Sequence, residues 1–144
     1  MTTPGLVTFT CAGHPVTQGS KRAFVRNGRP ILVESAGDRL KLWRHIIATE
    51  ARQNATDGLL DGPVQVHLWF RLPKPASAPK RRRTWPIGAR SLDVDKAARA
   101  ALDAMTGAVY HDDAQVVRLV VEKDWADARG PGVEVVVMPV RDEQ

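Results

Sequence analysis

Two pairs of aspartates stand at the two ends of one helix-length segment of the chain. Asp93 and Asp95 begin this segment, and Asp112 and Asp113 follow it. Carboxylate oxygens are the ligands that Mg²⁺ prefers in proteins. A metal ion held by such oxygens can activate a water molecule and stabilise charge on a phosphate. The two pairs therefore predict a divalent-metal site.

The rest of the chain is basic, with 21 Lys and Arg residues against 16 Asp and Glu residues and a formal net charge of +5. A positive net charge favours an acidic partner, although it does not identify that partner. Lys and Arg side chains hold phosphates, and carboxylates hold a hard metal ion. The combination predicts a metal-dependent nuclease.

Length and composition predict one domain that spans residues 1–144. Hydrophobic residues at 43% and charged residues at 26% are ordinary for a globular protein, and a chain of this length can bury a core without disulfides. Cys11 is the only cysteine, which excludes an intrachain disulfide. We find no signal peptide and no apolar run of roughly 20 residues. We therefore expect a cytoplasmic protein that does not cross a membrane.

The spacing of apolar residues predicts an α/β (α+β) fold, in which two main helices pack on a mixed sheet. Strands are expected at residues 6–11, 64–72, 116–123 and 132–138, with a further hairpin at Asn27-Gly28. Helices are expected at about residues 38–54 and from Asp93 or Asp95 to about Met105. The last two strands are predicted to form a final hairpin through a turn at residues 128–132.

Residues 73–90, directly before the first acidic pair, have four prolines, six Lys or Arg residues and no acidic residue. This composition predicts a flexible loop, either a solvated surface segment or an arm that grips phosphates. Its position favours the arm. Trp85 in this loop could stack on a base or pack against the domain. We expect basic residues of the loop and of the first hairpin to contact DNA: Lys21, Arg22, Lys80, Arg81, Arg82 and Arg83.

Each aspartate also has a purely structural interpretation. Asp93 or Asp95 could cap the second helix, and Asp112-Asp113 could form a turn. If that helix runs antiparallel to the neighbouring strand, its start does not need to meet the second acidic pair. Asp103 lies one helical turn beyond Arg99, so these two residues could form a simple ion pair.

The same segment resembles the signature of the RusA-type crossover junction endodeoxyribonucleases. That signature has an Asp-x-Asp-Asn start, a lysine one turn later, Asp-Ala-(Leu/Met), a glycine turn and Asp-Asp-x-Gln-(Val/Ile). The matching residues here are Asp93-Val94-Asp95-Lys96, Arg99, Asp103-Ala104-Met105, Gly107 and Asp112-Asp113-Ala114-Gln115-Val116. The N-terminal GHPVTQGSKRAF also resembles the Gly-x-Pro-x-x-x-Gly-x-x-Arg region of that family.

The resemblance implies a small homodimer that binds branched DNA and resolves four-way (Holliday) junctions by two symmetric cuts. It implies Mg²⁺ as cofactor, with Mn²⁺ as a substitute, held by Asp93, Asp95 and Asp113 with Asp112 beside the last. The first three are then catalytic as well, and Asp103 is structural. Proteins of this type commonly travel with phages and prophages, so the resemblance also implies a bacterial or phage setting.

Two positions depart from the family pattern. Lys96 replaces the asparagine, and Arg99 replaces the lysine. Arg99 keeps the positive charge near the phosphate, and we expect it to be catalytic, but an arginine does not readily give up a proton. Lys96 is expected to contact DNA. These changes leave open a branched-DNA-binding protein with weak or lost catalysis. A basic dimeric structural protein is a third alternative.

Overall fold

The computed structural model describes residues 5–19, 21–34 and 37–141. Its elements in chain order are β1 (Val7–Ala12), β2 (Lys21–Arg26), β3 (Arg29–Glu34), α1 (Gly37–Asn54), β4 (Val64–Leu72), α2 (Val94–Met105), β5 (Val116–Trp125) and β6 (Gly132–Pro139). A short 3-10 turn, Asp113–Gln115, precedes β5. The predicted helices and the four strands of the main sheet are confirmed to within two residues at each end.

A four-stranded mixed sheet with the order β1-β6-β4-β5 forms the centre of the molecule. β4 pairs with β5 in parallel and with β6 in antiparallel orientation, and β6 pairs with β1 in antiparallel orientation. β2 and β3 form a separate hairpin, whose turn has positive φ angles at Asn27 and Gly28, 53° and 76°. Positive φ angles at both central residues are what a two-residue hairpin turn requires. The predicted mixed α+β fold and this hairpin are confirmed.

The predicted final hairpin is wrong, because β5 and β6 lie on opposite sides of β4. β4 is the most apolar strand, and a central position pairs its backbone groups on both edges. The connection from β5 to β6 passes the end of β4 and is tied to it. Ala126 N donates to Leu72 O at 2.7 Å, and Arg71 Nε donates to Gly130 O at 3.0 Å.

One face of the sheet carries the core. Phe9, Val135, Leu68 and Val121 lie side by side across the four strands, and the first three are buried. Both helices supply side chains to the same core. Five buried alanines of α2 let α1 approach closely: Ala97, Ala98, Ala100, Ala101 and Ala104. Within the described residues, no helix is long and apolar enough to span a membrane.

α2 runs antiparallel to β5, which decides where the acidic residues lie. Near the end of β5, Lys123 Nζ donates to Leu92 O at 2.8 Å, just before α2 begins. Near the start of β5, Asp113 lies beside Asp103, which belongs to the last turns of α2. The first acidic pair therefore lies at one end of the helix and the second pair at the other.

The segment at residues 73–90 contains no helix or strand, and its second half is fixed to β5. Arg83 Nη2 donates to Asp124 Oδ2 at 2.5 Å, and Trp125 Nε1 donates to Thr84 Oγ1 at 3.0 Å. The segment thus connects β4 to α2 along the end of β5, and its fixed part leads into the candidate site.

Candidate active site

A cavity of about 510 Å³ lies between α2 and β5, beside the open edge of the sheet. Its charged lining residues are Asp95, Arg99 and Asp113. The remaining walls are apolar and consist of Val94, Ala98, Leu102, Leu119 and Val121. The structure therefore brings one residue of each acidic pair, and the arginine predicted to be catalytic, to one cavity.

Asp113 belongs to a cluster of three carboxyl groups with Asp103 and Asp112. Partial loss of hydration and hydrogen bonds with the Asp103 and Asp112 carboxyls raise the pKa of Asp113 above its ordinary value. Such mutual repulsion of carboxylates is what a bound cation would relieve.

Asp112 caps the turn before β5, as its structural interpretation required. One of its carboxylate oxygens, Oδ1, accepts a hydrogen bond from Ala114 N at 2.9 Å. Gln115 completes the capping box, since its Oε1 accepts from Asp112 N at 3.0 Å. Gln115 Nε2 also donates to Leu60 O at 2.9 Å. These bonds fix the turn that presents Asp113.

Asp103 is the member of the cluster that sequence reasoning placed outside the site. It accepts a hydrogen bond from Gln18 Nε2 and lies within hydrogen-bonding reach of Asp113. The described structure shows no ion pair between Asp103 and Arg99. Asp95, Arg99 and Asp103 follow one another at intervals of four residues, which places them on one side of an α-helix. That spacing was a usable signal for Asp103.

Asp93 is the N-cap residue of α2, but its side chain makes no capping hydrogen bond. Its carboxylate lies 3.7 Å from Lys96 Nζ, and it does not line the cavity that contains Asp95. Lys96, predicted to bind DNA, is thus ion-paired within its own helix. Asp95 and Asp103 are separated by two helical turns, about 12 Å along the axis. The four predicted metal ligands do not meet at one point.

Tyr110 lies fully buried beneath the carboxyl cluster. Its hydroxyl donates to Leu102 O at 2.7 Å. Burial, followed by the negative charges of Asp113 and Asp103, raises its pKa far above the ordinary value. Tyr110 therefore stays neutral. It acts as a buried packing residue next to the cluster and does not exchange protons with it.

The basic residues predicted to bind DNA fall into three groups. Lys80, Arg81 and Arg82 are exposed. Arg83 is paired with Asp124 and lies 4.4 Å above the centre of the Trp85 ring, so its charge is already engaged. Lys21 and Arg22 lie in β2, and their side chains are outside the described part of the structure.

Within the described residues, no group of three or more His, Cys, Asp or Glu side chains is arranged to hold a metal ion. Asp113 has only its two acidic neighbours from the last turns of α2 and the turn before β5. The roles of the individual site residues therefore stay predictions, and the geometry identifies the cavity between α2 and β5 as their meeting place.

Comparison with known proteins agrees with this arrangement. Residues 12–138 match the family model described as Endodeoxyribonuclease RusA. The chain is also 30% identical over 141 residues to the uncharacterized protein YqaN of Bacillus subtilis (strain 168), an alignment that covers 93% of this chain and 96% of that relative. The matched region contains every strand from β2 to β5, both helices and the whole cavity. The chain belongs to the RusA endodeoxyribonuclease family.

Proposed function

We propose that the protein is a Mg²⁺-dependent DNA endonuclease that resolves four-way junctions by paired symmetric cuts. Membership of the RusA family implies nuclease activity of the junction-resolving kind. The observation that carries the proposal for this chain is the cavity lined by Asp95, Arg99 and Asp113. It combines carboxylates with a guanidinium group at an open sheet edge, where a phosphodiester backbone has access.

The donor set fits a hard divalent cation in its chemistry. Asp113 and Asp103 offer carboxylate oxygens, and the raised pKa of Asp113 reflects loss of hydration and like charges that a cation would offset. Asp95 supplies a further carboxylate to the same cavity. When bound there, Mg²⁺ would supply an activated water and neutralise charge on the phosphate. Mn²⁺ has the same preference for oxygen ligands and is the expected substitute.

Arg99 is proposed to bind the phosphate that is cut. A guanidinium group can hold two phosphate oxygens at once and stays charged throughout the reaction. Arg99 lines the cavity between Asp95 and Asp113 and has no salt-bridge partner among the described residues. Its proposed role is therefore to orient the phosphate and to stabilise its negative charge. It does not take part in proton transfer.

The proposal is tested with a synthetic four-way junction incubated with Mg²⁺, Ca²⁺ or EDTA side by side. We expect paired nicks with Mg²⁺ only and junction binding in all three conditions. Asp95→Asn should abolish cutting while junction affinity is kept or raised, because it removes a metal ligand and a negative charge. Asp57→Asn, an exposed residue that does not line the cavity, is the matched control.

Binding without nicks in Mg²⁺ would contradict the nuclease proposal and favour the alternative, a branched-DNA-binding protein with weak or lost catalysis. Two observations favour that alternative. Arg99 replaces the family lysine, and the described carboxylates do not form a complete metal centre. Junction binding that is independent of Mg²⁺ and weakens steeply with salt would identify it.

We further propose a homodimer, because two symmetric cuts on one junction require two active sites related by a two-fold axis. The net charge of +5 is suited to a DNA partner. The proposed setting is the cytoplasm of a bacterium, with a phage or prophage as the origin of the chain.

A further inference from the structure

A second pocket lies on the α1 side of Arg99, in the space between α1 and α2. Its volume is about 330 Å³. It is lined by Gln18, Gly19, Gly37, Leu40, Lys41, Arg44 and Arg99. Arg99 thus lines both this pocket, hereafter the basic pocket, and the cavity that contains Asp95 and Asp113.

The charge of the basic pocket has one sign. Lys41, Arg44 and Arg99 contribute three cations, and no carboxylate is among its lining residues. The nearest acidic residues in the two helices, Asp38 in α1 and Asp95 and Asp103 in α2, are not among its described lining residues. None of the three cations forms a salt bridge within residues 5–19, 21–34 and 37–141. The described lining residues of the pocket therefore carry positive charge only.

The position of Arg99 depends on close contact with the chain at Gly19. A Cβ atom added to Gly19 would lie 2.6 Å from Arg99 Nη1, and the φ angle of Gly19 is +106°. The preceding residue is tied to the same helix, since Gln18 N donates to Lys96 O at 3.0 Å. The backbone at Gly19 therefore lies directly against the Arg99 guanidinium, at the boundary of the two cavities, in a conformation that favours glycine.

We propose that the basic pocket binds a phosphate of the DNA backbone that lies next to the phosphodiester in the Asp95–Asp113 cavity. The inference rests on the proposed function and extends it to a second contact on the same strand. Lys41 and Arg44 can together hold a phosphodiester, with the Arg44 guanidinium donating a pair of hydrogen bonds to its oxygens, while Arg99 at the boundary binds the phosphate that is cut. The contact would set the register of the strand relative to the carboxylates.

The first test measures junction affinity in EDTA as a function of salt concentration. Lys41→Gln and Arg44→Gln should each weaken binding. Each should also make the plot of log K against log salt less steep by about 0.7 to 0.9, the change expected when one phosphate contact is lost. Arg39→Gln removes the same charge from the same helix at an exposed position outside the pocket and should keep the wild-type slope. Equal losses in all three variants would overturn the inference, because only net charge would then matter.

The second test locates the phosphate. Junctions with one neutral methylphosphonate at a time are titrated with wild-type protein and with Arg44→Gln. One position near the cut should weaken wild-type binding and have no further effect on the variant, which is the coupling expected of direct contact. Fully additive effects at every position would reject the pocket as a phosphate site. Lys41→Gln, an exposed substitution, repeats the comparison if Arg44→Gln proves unstable.

Both tests are made without Mg²⁺ and do not require cleavage. If the junction is bound but not cut, the coupling between Arg44 and one phosphate still supports the basic pocket while the nuclease proposal fails. If the junction is cut and no coupling is found, the nuclease proposal stands and the basic pocket is rejected. The two failures are therefore distinguishable.

Discussion

The carboxyl groups of Asp103 and Asp113 lie within hydrogen-bonding reach of each other, although one residue lies in the last turns of α2 and the other in the turn before β5. Partial loss of hydration, followed by the neighbouring Asp103 and Asp112 carboxyls, raises the pKa of Asp113 above its ordinary value. The antiparallel packing of α2 on β5 produces this contact. It makes Asp103 part of the candidate site rather than a residue of the helix surface.

Asp103→Asn tests that assignment. We expect cleavage to fall by on the order of tenfold, which corresponds to about 1.4 kcal/mol in the barrier. The reason is that the substitution removes one carboxylate from the cluster that would hold the cation. Junction affinity in EDTA should not fall, because a negative charge near the DNA is lost. Cleavage at the wild-type rate by this variant would show that Asp103 is a structural residue and not part of the site.

Gln18→Glu tests how the cluster is positioned. Gln18 Nε2 donates to Asp103, and its Oε1 is buried without a partner in the described structure. A carboxylate at this position would face Asp103 with like charge and without a donor, so the variant should be less stable than Gln18→Ala. Loss of the hydrogen bond alone costs about 1 kcal/mol. Urea unfolding at pH 7 and pH 4 should show that the extra penalty of the glutamate shrinks as pH falls.

The local elements could be predicted from the sequence because each depends on neighbouring residues. Alternating apolar residues specify β4, and Asn27-Gly28 specifies the turn of the β2-β3 hairpin through two positive φ angles. Sequence proximity failed for β5 and β6, since the choice of strand partners depends on the buried face of β4 and not on the connecting turn.

The site was predictable in its composition but not in its geometry. Asp95 and Asp113, both named by the motif, line one cavity. The motif did not show that α2 runs antiparallel to β5, which leaves Asp93 beside Lys96 and brings Asp103 to Asp113. These relationships arise from helix packing on the sheet, which no spacing along the chain specifies.

Gly132→Ala tests the packing of β1 on β6. A Cβ atom at Gly132 would lie 2.1 Å from Cys11 O, a backbone atom that cannot move without shifting β1. We expect a loss of about 1–3 kcal/mol in the free energy of unfolding, the usual cost of forcing an atom into a filled space. Gly88→Ala meets nothing within 4 Å and should leave stability within about 0.5 kcal/mol of wild type. Equal effects of the two substitutions in urea unfolding would contradict the strand register.

Asp113→Asn tests the electrostatics of the cluster independently of catalysis. Because the folded-state pKa of Asp113 is raised from 3.8, the wild-type protein is favoured with this group protonated and loses stability as pH rises through the folded-state pKa. The asparagine variant avoids that loss. In EDTA at pH 7 its Tm should exceed that of wild type, and the difference should shrink as the pH falls and the Asp113 carboxylate of the wild type becomes protonated.

The same pair of proteins reports on metal binding. A cation held by Asp113 stabilises only the folded state, so Mg²⁺ above its dissociation constant should raise the Tm of wild type with the logarithm of its concentration and have little effect on Asp113→Asn. The order of the two Tm values should therefore reverse at saturating Mg²⁺. A variant that is less stable than wild type in EDTA at pH 7 would show that Asp113 makes a favourable contact instead. An equal Mg²⁺ response in both proteins would place the cation elsewhere.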